Sequence, residues 1–304
     1  MPFKLNAYLP SKQCEVRIKE LYYKQYRDLV KSLYNTNKKE TIQQYNSILE
    51  DLCSDAVDNE TTFEDKLSLL LTIRNYCVSP DLKLKCVLAN GETFNSNIDL
   101  EKIIKLVNNI NKSSIVVLND ITIRFSSYKI RDEWVFSGNN KDTISILSSW
   151  VDSIEINNQL ILFKDLYYEE RFKIIEALPV ELVRLLNREV KKIEDKFESI
   201  ELLTVKNPIT QNTILSLSCN ITFEVLQKMV EFLFAENLNN VYRAFYNMVN
   251  YGGFTAEYVD SITPIELQVY WMYYMQDRQK KEETKAPSVP VGSLQTTHNN
   301  ELGF

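Results

Sequence analysis

The apolar residues of this chain recur at two spacings, and the repeated switching between them constrains its fold more than any single motif. The chain opens with FKLNAYLP and QCEVRIKEL, two short runs parted by Pro10-Ser11-Lys12. Phe3, Leu5, Ala7 and Leu9 fall on one face of the first run, and Cys14, Val16 and Ile18 on one face of the second. A period of two predicts a half-buried β-hairpin. The following stretch changes to helical spacing through Tyr22, Tyr26, Leu29, Val30 and Leu33. Two more helices are predicted over KKETIQQYNSILEDLCSD and FEDKLSLLLTIRNYCVS, the latter with Leu67, Leu70, Leu71 and Arg74 along one side.

The middle of the chain mixes both periods. LKLKCVL and ETFNSNI flank Asn90-Gly91, a strong hairpin signal. Asp99 to Asn111 reads as a helix with an acidic N-cap. SSIVVL and ITIRFSSY predict another hairpin about Asn119-Asp120, and RDEWVFSGNNKD predicts a loop. TISILSSWVDSIEI fits strand or helix equally. A turn at Asn157-Asn158 then precedes a strand, QLILF. Two helices divided at Pro179 and a strand over TILSLSCNITF follow. From Glu224 to about Glu283 the pattern is helical with one break, at Gly252-Gly253. The expected class is α+β: an N-terminal hairpin packed with helices, mixed central strands and a mainly helical C-terminal part. The expected divisions are an N-terminal module over residues 1–140, a mainly helical module over 141–284 and a flexible tail over 285–304.

Composition removes most chemistries. The only histidine of the 304 residues is His298, in that polar tail. A Ser-His-Asp triad, a Cys-His pair or a His-ligated zinc is therefore not expected. Six glycines contain neither a dinucleotide nor a P-loop pattern. The five cysteines, Cys14, Cys53, Cys77, Cys86 and Cys219, form no CxxC and are expected to be buried free thiols. Asn139, Asn140 and Asp142 lack the spacing of a calcium loop and read as a turn. Glu169, Glu170 and Glu181 are the best acid/base candidates, yet they sit at helix starts, where carboxylates favour the helix dipole. No catalytic residue, metal or cofactor is expected. A net charge of −6 argues against nucleic acid. With no secretory signal and no apolar run of bilayer length, no membrane partner is expected, and the cytoplasm is the expected compartment.

The most distinctive local signal lies near the C-terminus. Thr263-Pro264-Ile265-Glu266 is a capping box with proline at the first helical position. Behind it comes YWMYYM, residues 270–275. Leu267, Tyr270, Trp271 and Tyr274 share one helix face, and Ile265, Val269, Met272 and Met275 a second. A helix apolar on two faces needs cover on both, from the domain's own core, from a partner or, least expected, from a small molecule in a pocket. The apolar part, about 13 residues, is about 20 Å long and too short to cross a bilayer. Tyr, Trp and Met are typical of interface centres. The candidate contact residues are Tyr270, Trp271, Tyr273 and Tyr274, with Tyr242, Phe245 and Tyr246 on the preceding helix.

Four passages carry a family likeness. They are LPSKQCEVRIKELYYKQYRDLVKS, FEDKLSLLLTIRNYCVSPDLKLKC, WVDSIEINNQLILFKDLYYEERFKIIEALP and NVYRAFYNMVNYGGFTAEYVDSITPIELQVY. In their order and apolar patterns the chain resembles the baseplate hub subunit family of T-even-type contractile-tailed bacteriophages. It departs from that family in length and around Asn90 to Asn140. The resemblance implies a non-enzymatic structural or assembly subunit of the central hub of the tail baseplate, with other phage tail proteins as partners. It also leaves room for an assembly chaperone absent from the mature virion. A carboxylate-dependent tail hydrolase is the alternative from another class.

Overall fold

The two opening runs pair as antiparallel strands β1 (Leu5–Leu9) and β2 (Cys14–Ile18). The structure is a computed structural model that describes residues 5–34, 38–54, 57–87, 91–109, 113–136, 142–198, 201–207, 209–218, 233–234 and 237–285. Ala7, Leu9 and Ile18 are buried, as the alternation requires. Cys14 is exposed, which corrects its expected burial: it is the first residue of β2, beside the hairpin turn. Cys53 and Cys77 are buried thiols, while Phe3, Cys219 and the side chain of Cys86 lie outside the described residues.

Helix α1 (Tyr23–Ser32) starts where the Gln25 side chain accepts the Tyr22 N–H at 3.0 Å. It is followed by α2 (Lys38–Leu52) and α3 (Phe63–Ile73). A reciprocal capping box between Thr62 and Asp65 begins α3. Asp65 also accepts the Ser11 N–H at 2.8 Å, and Ser68 donates to the Tyr8 carbonyl at 2.8 Å. These bonds hold the β1–β2 hairpin on the helix. The one-sided stripe expected for α3 is too narrow, because every residue from Phe63 to Ile73 is buried. The helix runs through the molecular interior and carries Glu64, Asp65 and Lys66 with it. A π-helical turn, Arg74–Val78, ends it.

Buried polar and charged side chains need partners, and Lys66 and Glu64 of α3, like Asp132 outside it, find them on other elements. Lys66 Nζ lies 2.7 Å from Glu133 Oε1 and 2.6 Å from Asn46 Oδ1. Asp132 accepts both terminal nitrogens of Arg171 at 2.6 Å each, the bidentate geometry that fixes a guanidinium best. Ser127 donates to Glu64. These bonds explain why RDEWVF is not a loop. It forms a 3₁₀ turn, Ile130–Asp132, and a short helix α5 (Glu133–Phe136), with Asp132 and Glu133 drawn inward by Arg171 and Lys66.

Strands β3 (Asp81–Val87) and β4 (Thr93–Asp99) form the second hairpin, with Gly91 at φ +83°. Asp99 caps α4 (Leu100–Asn108) by accepting the Lys102 N–H at 3.1 Å. The ambiguous TISILSSWVDSIEI is both elements in succession: α6 (Thr143–Trp150) passes directly into β7 (Val151–Ile156), with Trp150 fully buried at the switch. Asp142 caps α6, and Asn139 and Asn140 lie outside the described residues. Strands β5 (Ser113–Leu118), β6 (Ile121–Ser126), β7 and β8 (Gln159–Leu162) form one antiparallel sheet in that order. Two of its strands precede residue 140 and two follow it.

Helices α7 (Tyr168–Glu176) and α8 (Val180–Glu198) flank Pro179 as expected. The pair β9 (Glu201–Lys206) and β10 (Thr213–Ser218) follows. Only β10 is foreseen by the residue pattern; β9 follows the charged end of α8 with no Gly, Pro, Asn or Asp between them. The C-terminal part comprises α9 (Leu238–Asn250), α10 (Ala256–Ser261) and α11 (Pro264–Lys285). It is broken twice, at Gly252-Gly253 and again at Ile262-Thr263. The expected helical stretch over 224–232 and the tail over 286–304 lie outside the described residues. Leu9, Phe63, Trp150, Leu186, Met248 and Leu267 belong to one buried apolar cluster, so the N-terminal hairpin, the sheet and the C-terminal helices share a core. Among the described residues no helix is long and apolar enough to cross a membrane.

Candidate contact surface

The C-terminal helices are fastened to α1 through two of their backbone carbonyls. The Tyr23 N–H donates to the Ile262 carbonyl at 2.7 Å, and the Tyr23 hydroxyl donates to the Val241 carbonyl at 2.7 Å. Between these points Arg27 is held on three sides. Its guanidinium carbon lies 4.8 Å from the Phe245 ring centroid and 6.0 Å from that of Tyr242, and Nη1 lies 3.1 Å from Asp260 Oδ1. A cation over two rings with a half-buried carboxylate beside it orients α9 and α10 together.

Helix α11 begins as its capping box dictates. Thr263 N–H donates to Glu266 Oε2 at 2.8 Å, and Glu266 N–H donates to Thr263 Oγ1 at 3.3 Å. The helix has 22 residues rather than the 13 or so of its apolar part, so it is about 33 Å long. Gln276 to Lys280 are exposed throughout.

The two apolar faces of α11 have different fates. On the first face Leu267 is buried, and Tyr270 and Trp271 are half-buried against the core. Tyr270 completes a cluster with Phe254 and Tyr258, at centroid distances of 5.5 and 6.4 Å. Its hydroxyl is 3.2 Å from that of Tyr258, and this hydrogen bond raises the Tyr270 pKa. Trp271 stacks on Tyr274 at 5.3 Å. The second face is half-buried at Ile265 and open beyond it. Met272 is 55% exposed, and Val269 and Met275 are also exposed. Tyr273, 59% exposed, follows Val269 by four positions and joins that stripe.

The seven sequence candidates therefore divide. Phe245, Tyr270, Trp271 and Tyr274 are half-buried, and the first three hold the C-terminal helices on the core. Tyr242, Tyr246 and Tyr273 are exposed. Tyr246 meets Tyr251 edge-on at 6.0 Å. Between α9 and α11 lies a groove of about 270 Å³ with Ala244, Met248, Leu267 and Trp271 among its lining and Arg243 and Gln268 also bordering it. Arg27 was not foreseen as part of this surface, since it lies more than 200 positions away from its ring and carboxylate partners. The acid candidates have structural places: Glu170 accepts the Tyr167 N–H at 2.9 Å, and Glu169 and Glu181 are exposed in first turns.

A family model described as T4 bacteriophage base plate protein matches residues 2–234. The chain belongs to that family. It is thus a structural or assembly protein of a phage tail baseplate. The matched span ends at Phe234, before α9, so all seven contact candidates lie beyond it. No curated protein and no solved structure matches the chain.

Proposed function

We propose that this baseplate protein is a structural or assembly subunit of the central hub, and that it acts through protein contacts made by its C-terminal helices. The observation that carries this reading is the open stripe of α11. Val269, Met272 and Tyr273 stand in water on a helix whose opposite face is already committed to the core. Contiguous exposed apolar side chains with Tyr and Met among them suit a partner's surface. The polar continuation from Gln276 carries the helix away from the body. Other baseplate proteins are the partners expected of a family member, and the tail baseplate is its site of action.

Affinity purification of the tagged chain from phage-infected cells tests the reading. Recovery of hub proteins supports it, and recovery of wedge or tube proteins alone contradicts the hub assignment. Mass spectrometry of purified virions then separates a retained subunit from an assembly factor that leaves: the subunit is present in stoichiometric amount and the factor is missing.

A further inference from the structure

The groove of about 270 Å³ between α9 and α11 is mostly apolar. Met248 and Leu267 are its buried members, and Ala244 and Trp271 its half-buried ones. Among the described residues of its lining only Arg243 is charged, and that exposed side chain pairs with no described carboxylate. The groove lies on the side of α11 away from the open stripe. Leu267 and Trp271 follow each other at four positions on one side, and Val269 and Tyr273 do so on the other.

Reach limits which parts of this chain can cover the groove. Helix α11 continues past Trp271 to Lys285, which places its end about 21 Å from Trp271 along the axis. The sequence after Lys285 is APSVPVGSLQTTHNNELGF. A chain extends by at most about 3.3–3.6 Å per residue, so Val289 falls short of Trp271 and Val291 only just spans the distance when fully taut. Leu294 is an isolated apolar residue with no charge near it. Glu301 comes sixteen residues after Lys285, and a coil of that length has an r.m.s. span of about 20–24 Å. A linker whose r.m.s. length matches the span gives the highest effective concentration, on the order of millimolar.

We propose that residues 301–304 of the same chain dock in this groove, with Leu302 and Phe304 on its apolar surface and Glu301 at Arg243. Charge and pattern select this segment together. Glu301 is the only Asp, Glu, Lys or Arg after Lys285, and its sign is opposite to that of the groove's one charge. Leu302 and Phe304 alternate about Gly303, so an extended backbone turns both side chains to one side. No other stretch after Lys285 joins two large apolar residues within slack reach to an acid. The docked segment covers Trp271 in the free subunit and leaves Val269, Met272 and Tyr273 open to partners. It is independent of the hub assignment.

Nuclear magnetic resonance of the full-length chain, with tryptophan and phenylalanine isotope-labelled on a deuterated background, tests it. Trp271→Phe and Phe304→Leu assign the two signals, and the buried Trp150 reports in the same spectra whether each variant stays folded. The expected result is a nuclear Overhauser contact between the Trp271 indole and the Phe304 ring that persists on dilution. Arg243→Glu should abolish the contact, and Arg243→Glu with Glu301→Arg should restore it. Absence of the contact in the wild-type chain overturns the proposal. A contact that vanishes on dilution overturns it as well, because the segment then docks on a second copy. So does a contact that survives Arg243→Glu, or one that the charge reversal fails to restore.

Discussion

Lys66 Nζ lies 2.7 Å from Glu133 Oε1, and both side chains are buried. The pair joins the central helix α3 to α5, and Asn46 Oδ1 accepts a further bond from the same ammonium. Burial holds the Lys66 pKa below its ordinary value despite the carboxylate beside it. Removing one member leaves the other charge buried and uncompensated. Glu133→Leu should therefore cost about 3–5 kcal/mol. Lys66→Met combined with Glu133→Leu should cost much less than the sum of the two single changes. Urea unfolding of the four proteins gives the coupling energy directly, and additive effects would refute the pairing.

Glu64 gives the protein a pH dependence of definite sign. Burial raises its pKa above 4.5, against the opposing hydrogen bond from Ser127. In the native state the carboxyl keeps a proton that the unfolded chain has released. Its contribution to stability is thus fully present below pH 4.5 and is lost as pH rises through the folded-state pKa. Glu64→Gln should gain stability relative to wild type as pH increases from about 4 to 8. Unfolding curves for the two proteins that run parallel across this range would contradict the assignment.

The thiols should react unequally. Burial pushes Cys53 up to about 12 and Cys77 up to about 11, whereas Cys14 is exposed at the β1–β2 turn. Since the thiolate is the reactive form, a maleimide at pH 8 should label Cys14 quickly and Cys53 and Cys77 only on unfolding. Peptide mapping after brief labelling reads this out. Native-state labelling of Cys53 at the rate of Cys14 would show that α2 does not bury it.

Gly252 permits the turn between α9 and α10. A Cβ there would stand 2.7 Å from the Met248 carbonyl oxygen, a backbone atom that cannot swing aside. Gly252→Ala should destabilise the protein by roughly 1–3 kcal/mol and lower its melting temperature. Gly253→Ala is strained for another reason, its φ of +75°. An unchanged melting temperature for Gly252→Ala would mean that the turn is looser than it stands here.

What could be read from the residues, and what could not, follows the range of the interactions. Thr263-Pro264-Ile265-Glu266 sets the start of α11 through atoms three residues apart, and its capping box forms as spelled. Asn157-Asn158 makes its turn for the same local reason, with both φ values positive. Burial of α3 was not legible, because a polar residue in a pattern counts as exterior. Lys66 is interior only because Glu133, 67 positions on, meets it. At the contact surface the two faces of α11 were evident from spacing alone. Which face the core would take depended on where the Arg74–Val78 turn meets the helix, and no local pattern carries that. Trp271 and Tyr270, prominent as contact candidates, partly serve the core, and Met272 beside them is the more open residue.

The central claim, that the open stripe of α11 binds other baseplate proteins, is tested most directly by Met272→Lys with Tyr273→Ala. Both side chains are mostly exposed, so the fold and melting temperature should be unchanged. Affinity purification of this tagged variant from infected cells should recover its baseplate partners at least tenfold less than wild type, the loss of about 1.4 kcal/mol or more. Undiminished recovery by the folded variant would show that the stripe is not the interface.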